Sequence, residues 1–341
     1  MHHFTKRLTF ASVGWLLAAS ALAQEYTDRV RLVRGSAAGE VTATTPLEVT
    51  LEEQSGRSKS IAVPEIRSIV FDGEPPELTQ ARLHARNGGY QTALARLQEI
   101  DAAKLDRDLV RQDVEYFTAF CNAKLALGGK GEIVEAGRAL NDFVRRHAQS
   151  YHYLEAVELV GDLLMASGKY AAAEERYAEL AKTPWPEYKT RAGMLMGRSL
   201  QAQDKHAEAI AEFDRALAGA ADTDSAGGAT LGKAVSLAAT GKIDEAVRAI
   251  EQVILDTDPE QKDLQARSYL ALGDCYERAG RTKDALLAYL QVDVLYSTVP
   301  DAHAEALAHL APLWEAVGQE GRAREARQTL QERYAGSRWA K

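Results

Sequence analysis

Cysteine is nearly missing from this chain, which has only Cys121 and Cys275. They lie far apart, in stretches that read as different helical hairpins, so a bridge between them is disfavoured and no disulfide framework builds the fold. Buried, unpaired thiols are expected instead. Aromatic residues reach only 7%, while alanine, the best helix former, is used heavily, a balance that suits closely stacked helices. Basic charge is not in excess: the formal net charge is −8. That excludes a dominant basic patch and argues against nucleic acid as a partner. After residue 22 no apolar run approaches the roughly 20 residues that a membrane span needs. Neither HExxH nor GxSxG occurs, so the commonest zinc-protease and serine-hydrolase signatures are missing.

What is present begins with a leader. Lys6 and Arg7 precede a mostly apolar run from Leu8 to Leu22, and Ala21-Leu22-Ala23 reads as an A-x-A cleavage site. Residues 1–23 are expected to be a signal peptide cut after Ala23, leaving a periplasmic or secreted chain that starts at Gln24. No cysteine follows the cut, so lipidation is not expected.

From Tyr26 to Phe71 the apolar period is two, through Val30, Leu32, Val41, Leu47, Val49, Leu51, Ile61, Val63, Ile66, Ile69 and Phe71. Glycines and prolines punctuate it. Five short strands follow, at 28–34, 39–45, 47–53, 58–63 and 66–71, with Gly35 to Gly39 as a hairpin turn. The segment Gly39 to Thr42 and the ending Glu65 to Phe71 resemble parts of SH3-like or Sm-like small barrels. A sheet this small is marginal alone and is expected to pack on the helices after it. Asp72-Gly73-Glu74-Pro75-Pro76 ends the ladder. The organisation expected is 1–23 signal peptide, 24–74 small β module, 75–341 helical array.

From Glu77 the period is helical, and the decisive test is for internal repeats. A turn followed by alanine returns at Gly88 to Ala93, Gly168 to Ala173, Asp204 to Ala209, Gly241 to Ala246 and Gly280 to Ala285. From Ala173 the steps are 36, 37 and 39 residues. Space remains for a degenerate unit around Lys130 to Phe143, and a last one follows Gly318, with Ala323 or Ala326 in the alanine place. Small residues stand mid-way along each first helix (Gly161, Gly197, Ala234, Gly273). A large residue follows three later (Leu164, Leu200, Leu237, Tyr276). Another stands four after the alanine (Leu97, Tyr177, Phe213, Ile250, Tyr289). This pattern resembles the tetratricopeptide repeat (TPR) family across roughly residues 78–335. The resemblance implies a mainly α TPR-type solenoid of about six to seven hairpins. Tyr177 and Phe213 are expected to fill the space between successive hairpins.

Signals for chemistry fall away. Gly227 to Lys233 spells GxxxxGK, but Ala234 stands where the motif needs Ser or Thr, and no strand precedes it. His147 with His152, and His303 with His309, are spaced five and six apart, off the i, i+4 pairing of a helical metal site. No metal, cofactor or catalytic set is expected.

What remains is the concave face that first helices line in the resembled family. Register places Glu158, Asp162 and Met165 there, then Met194, Arg198 and Gln201, then Leu231, Val235 and Ala238, then Leu270, Asp274 and Glu277. An apolar centre with charged rims suits a peptide or helix lying in the groove. The reading is a non-enzymatic envelope scaffold for a protein or peptide partner. The alternatives are self-association through an exposed edge of the β module and an accessory that holds a glycan. The end, with Arg333, Tyr334, Arg338, Trp339 and Lys341, is expected to cap the array through Trp339.

Overall fold

The computed structural model describes residues 27–220 and 223–340. The expected signal peptide lies outside the described residues. Five strands open the chain: β1 Asp28–Leu32, β2 Ser36–Thr44, β3 Glu48–Glu52, β4 Ser58–Ala62 and β5 Ile66–Val70. They form one antiparallel sheet in the order β4-β3-β2-β1-β5. β2 serves two neighbours: Ser36 to Gly39 pairs with β1, and Glu40 to Thr44 pairs with β3. Gly39 sits at that change of partner, where a Cβ would collide with the Glu52 carbonyl. The expected turn at Gly35 to Gly39 is therefore corrected. The chain reverses by Gly35, whose φ is 90°, and the next four residues already belong to the ladder.

The described residues then form seven hairpins. They are α1 Pro76–Arg86 with α2 Tyr90–Gln98, α3 Asp108–Leu127 with α4 Ile133–Arg146, and α5 Tyr153–Ala166 with α6 Tyr170–Leu180. There follow α7 Pro186–Gln201 with α8 His206–Gly219, α9 Thr223–Ala239 with α10 Ile243–Asp256, α11 Lys262–Arg278 with α12 Thr282–Leu295, and α13 Pro300–Ala316 with α14 Glu320–Tyr334. The degenerate second unit is the α3–α4 hairpin. Each first helix ends the same way. A residue with positive φ follows the last turn, and the next N–H donates back to the carbonyl five residues earlier, as from Lys169 to Leu164 at 2.9 Å and from Arg281 to Tyr276 at 2.8 Å. This closure satisfies carbonyls that a helix end would leave bare. Glycine takes the place in six turns. Asp204, φ 58°, takes it in the seventh.

The repeat alanines Ala93, Ala173, Ala209, Ala246, Ala285 and Ala323 are wholly buried, which settles the last unit on Ala323. Glycines on the first helices receive rings. A Cβ on Gly161 would stand 2.8 Å from two ring atoms of Tyr177, and one on Gly273 would stand 2.5 Å from Cζ of Tyr289. Tyr177 thus fills its own hairpin rather than the space to the next. Phe213 does both, lying on Gly197 and also on Gly232 of the following hairpin.

The sheet is not a free module. Val30, Val49, Leu51, Ile61, Ile69 and Phe71 share one core with Leu78, Ala81, Leu97, Val110 and Val114. Asp28 fixes the docking. It is fully buried, accepts from the N–H groups of Val41 and Asp72 at 2.8 Å each, and is gripped by both terminal nitrogens of Arg107 at 2.6 and 2.9 Å. At the far end, Trp339 packs on the last hairpin's core.

Candidate functional site

First helices touch in series, α3 on α5, α7 on α9, α9 on α11 and α11 on α13. Their common face carries two adjoining clefts. The first, of about 620 Å3, lies between β5 and helices α1, α3, α5 and α7; its lining includes Arg67, Phe120, Glu158, Asp162, Met194 and Arg198. The second, of about 1080 Å3, runs along α7, α9 and α11; its lining includes Arg198, Gln201, Leu231, Val235, Leu270 and Asp274. Arg198 belongs to both. Nine of the twelve residues that register assigned to the concave face line these clefts. Met165, Ala238 and Glu277 line neither.

Lining a cleft is not the same as being available. Leu231 and Leu270 are 8% and 6% exposed, and so is little of Ala238. They are packed between neighbouring hairpins and serve the core more than the groove. Asp162 accepts from the Tyr177 hydroxyl at 2.9 Å, and Asp274 accepts from the Tyr289 hydroxyl at 2.5 Å. Both bonds span fifteen residues within one hairpin, so these aspartates brace their own repeats. Burial raises the Asp274 carboxyl above its ordinary range. Gln201 donates to the Gly232 carbonyl and to Ser236 Oγ at 2.7 and 2.9 Å, tying α7 to α9. Glu158 is held by Arg191 at 2.5 Å, and burial outweighs that partner in raising its carboxyl.

Arg198 is different. It is exposed in the groove, and among the described residues it makes no hydrogen bond or ion pair. The groove walls, followed by the like charge of Arg267, lower its guanidinium from the ordinary value, and Asp162 and Asp263 offset this only in part. An exposed cation with no hydrogen-bonded acceptor is open to an anionic group. Met194 and Val235 are half-buried beside it. The groove's available chemistry is therefore a central cation with apolar neighbours.

Sequence reasoning missed two clusters. Arg82 of α1 bonds Asp113 of α3 through Nε and Nη2 at 3.0 and 2.6 Å, and Glu74 through Nη1 at 2.6 Å. Tyr151 and His152 also reach Asp113, at 2.9 and 3.2 Å. The Arg82 charge holds the Asp113 carboxyl below its ordinary range against a large desolvation. This network locks the first three hairpins together along one wall of the first cleft. The second cluster joins Asp274, Glu277 and His309, whose donor atoms lie within 4.8 Å of one another. His309 was read only against His303, on its own helix. Its partners are on α11, which no spacing within one helix reveals.

The GxxxxGK match lies inside α9. Lys233 pairs with Asp214 at 2.7 Å, and Gly232 exists to admit the Phe213 ring. Cys121 and Cys275 are buried and unpaired, as expected. One other surface departs from a solvated pattern: Leu255, Leu287, Val294 and Leu295 stand exposed on the second helices α10 and α12.

Residues 194–262 match the family model described as Tetratricopeptide repeat. That stretch, from within α7 to the start of α11, is matched to the repeat directly, and the array as a whole is a TPR-like solenoid. Solved structures share this fold along the array. A tetratricopeptide repeat protein from Parabacteroides merdae ATCC 43184 is 16% identical with a TM-score of 0.57, covering 75% of this chain and 91% of that one. The apo quorum sensor NprR from B. thuringiensis is 14% identical with a TM-score of 0.60, covering 75% and 74%. A Rap protein complexed with Competence and Sporulation Factor is 14% identical with a TM-score of 0.54, covering 77% and 76%. At these identities the likeness is one of fold. A search of curated proteins returns no match. Among the described residues no helix is long and apolar enough to cross a membrane.

Proposed function

We propose that this chain is a non-enzymatic scaffold of the cell envelope that holds a segment of a protein partner along its concave groove. The observation that carries the reading is the convergence on Arg198. Two clefts formed along six successive first helices, α1 to α11, meet at one cation without a hydrogen-bonded acceptor. The partner segment would set an acidic group there and apolar side chains on Met194 and Val235. The Rap protein of the same fold, captured with Competence and Sporulation Factor, supports a groove that holds a partner. The envelope location rests on the leader of residues 1–23, with its basic start, apolar run and A-x-A site.

Self-association through the sheet finds less support. β5 lines the first cleft rather than facing outward. β4, the other edge, is five residues long and carries Lys59, a charge that resists edge pairing. The test is capture from envelope extract with wild type and with Met194→Glu plus Arg198→Glu. Both positions are accessible, so the fold should survive. Loss of specific captured proteins is expected. An identical set would overturn the groove reading and move binding to the exposed leucines of α10 and α12.

A further inference from the structure

The Asp274, Glu277 and His309 cluster exceeds what the repeat needs, and the repeats themselves show it. The positions one and four after the first-helix small residue, with the position two before the next hairpin's small residue, can be compared by register across the third to sixth hairpins. In the third hairpin they are Asp162, Met165 and Leu195. In the fourth they are Arg198, Gln201 and Gly232, and in the fifth Val235, Ala238 and Ala271. Only the sixth places three metal-ligating side chains there. The bracing bond from tyrosine to aspartate is made equally well in the third hairpin, with Met165 and Leu195 beside it. Glu277 and His309 are therefore additions to the architecture.

Their geometry is convergent. His309 Nδ1 stands 2.8 Å from Glu277 Oε2. The Tyr289 hydroxyl stands 2.5 Å from Asp274 Oδ1 and 2.7 Å from Glu277 Oε2. The Tyr289 hydroxyl can donate to one carboxylate and, in one tautomer, His309 Nδ1–H to Glu277; in the other tautomer the Nδ1 lone pair joins the two carboxylate oxygens at one point. Stacking on Tyr289, with ring centroids 4.7 Å apart and planes 17° from parallel, holds the His309 imidazole in place. Such orientation of a ligating ring is what metal sites require. All three side chains are partly exposed, and Asp274 opens into the second cleft.

We propose that Asp274, Glu277 and His309 bind a divalent transition-metal ion between the sixth and seventh hairpins, with zinc the ion their donor set suits. Zinc takes imidazole nitrogen and carboxylate oxygen at about 2.0–2.2 Å, which sets donors roughly 3.3 Å apart in a tetrahedron. The cluster reaches that spacing by small side-chain rotations. The fourth position opens toward the cleft and takes water or an anionic group. The site stands on its own geometry and does not depend on the groove reading.

The test is calorimetric titration of untagged, chelator-treated protein with zinc chloride. One zinc per chain is expected. His309→Gln and Glu277→Gln, both at partly exposed positions, should each weaken uptake by more than about tenfold, the loss that removing even a ligand's supporting partner costs. Asp162→Ala removes the same tyrosine bond from the third hairpin and should leave zinc affinity unchanged. Wild-type protein that takes up no stoichiometric zinc would overturn the proposal. So would uptake that survives both substitutions, or uptake that Asp162→Ala weakens as much as they do.

Discussion

Gly161→Ala tests how the hairpins close. The added Cβ would sit 2.8 Å from Cδ1 and Cζ of Tyr177, where carbon contacts prefer about 3.5–4.0 Å. The ring must retreat by most of an ångström. It is fully enclosed, and its hydroxyl is held by Asp162 at 2.9 Å. Overpacking of this kind costs about 1–3 kcal/mol, while alanine gains about 1 kcal/mol over glycine in a helix. The net expectation is a loss of about 0–2 kcal/mol. The repeats suggest the compensating change. Glycine stands with Tyr177, Phe213 and Tyr289, whereas Ala234 stands with Ile250 and Ala81 with Leu97 at the matching places. Tyr177→Ile should therefore rescue Gly161→Ala in part. The double variant should be less destabilised than the sum of the single ones by about 0.5–3 kcal/mol, the usual range for residues in contact. Urea unfolding followed by circular dichroism measures all three. A gain of about 1 kcal/mol in Gly161→Ala alone, the bare propensity difference, would refute the ring-on-glycine packing.

Three further outcomes follow from particular residues. Asp204 holds a left-handed turn that glycine holds in the other six hairpins, so Asp204→Gly should raise stability by about 0.5–1 kcal/mol, and a lower thermal midpoint would contradict it. Burial pushes the Cys121 and Cys275 thiols up to about 12 and about 11. Iodoacetamide at neutral pH should therefore leave both untouched until the chain unfolds, and labelling of native protein would count against their burial. The Asp113 carboxyl is depressed in the fold, so its contribution is full above its unfolded value of 3.8 and is lost as pH falls below that through the folded value. Asp113→Asn should cost about 3–5 kcal/mol at pH 7 by leaving Arg82 buried without its main partner, and should flatten the acid side of the stability curve; an unchanged acid limb would refute the role.

The helical part of the fold was legible because its signals are local and repeated. A small residue, an alanine twelve later and a large side chain four after that are read from spacing alone, and packing at Gly161, Gly197 and Gly273 explains why. Strand ends were less legible. Ser36 to Gly39 has little intrinsic preference for a strand, and its place in β2 comes from pairing with Asp28 to Arg31. The groove was legible as a face and not as a set of contacts. Leu231 and Val235 lie on the same side of α9, yet one is buried and the other half-buried, a difference set by the neighbouring hairpin. The Arg82–Asp113 and Glu277–His309 pairs were invisible because their members are 31 and 32 residues apart, on different helices.

Why the sheet accompanies this array follows from the ends. A stack of hairpins leaves an apolar face bare at each terminus, and each must be covered. At the C-terminal end Trp339 covers it. At the N-terminal end the sheet does so with Val30, Ile69 and Phe71 against Leu78 and Ala81. Asp28 makes that docking specific. A fully buried carboxylate is costly unless every oxygen is satisfied, and its four donors come from β2, from the turn after β5 and from Arg107 just ahead of α3. Only one orientation of the sheet supplies them all. That orientation also turns Ile66 to Ile69 of β5 toward the first helices, where they form a wall of the first cleft. The sheet is thus cap and groove wall at once, so the concave face begins at β5 rather than at the first repeat.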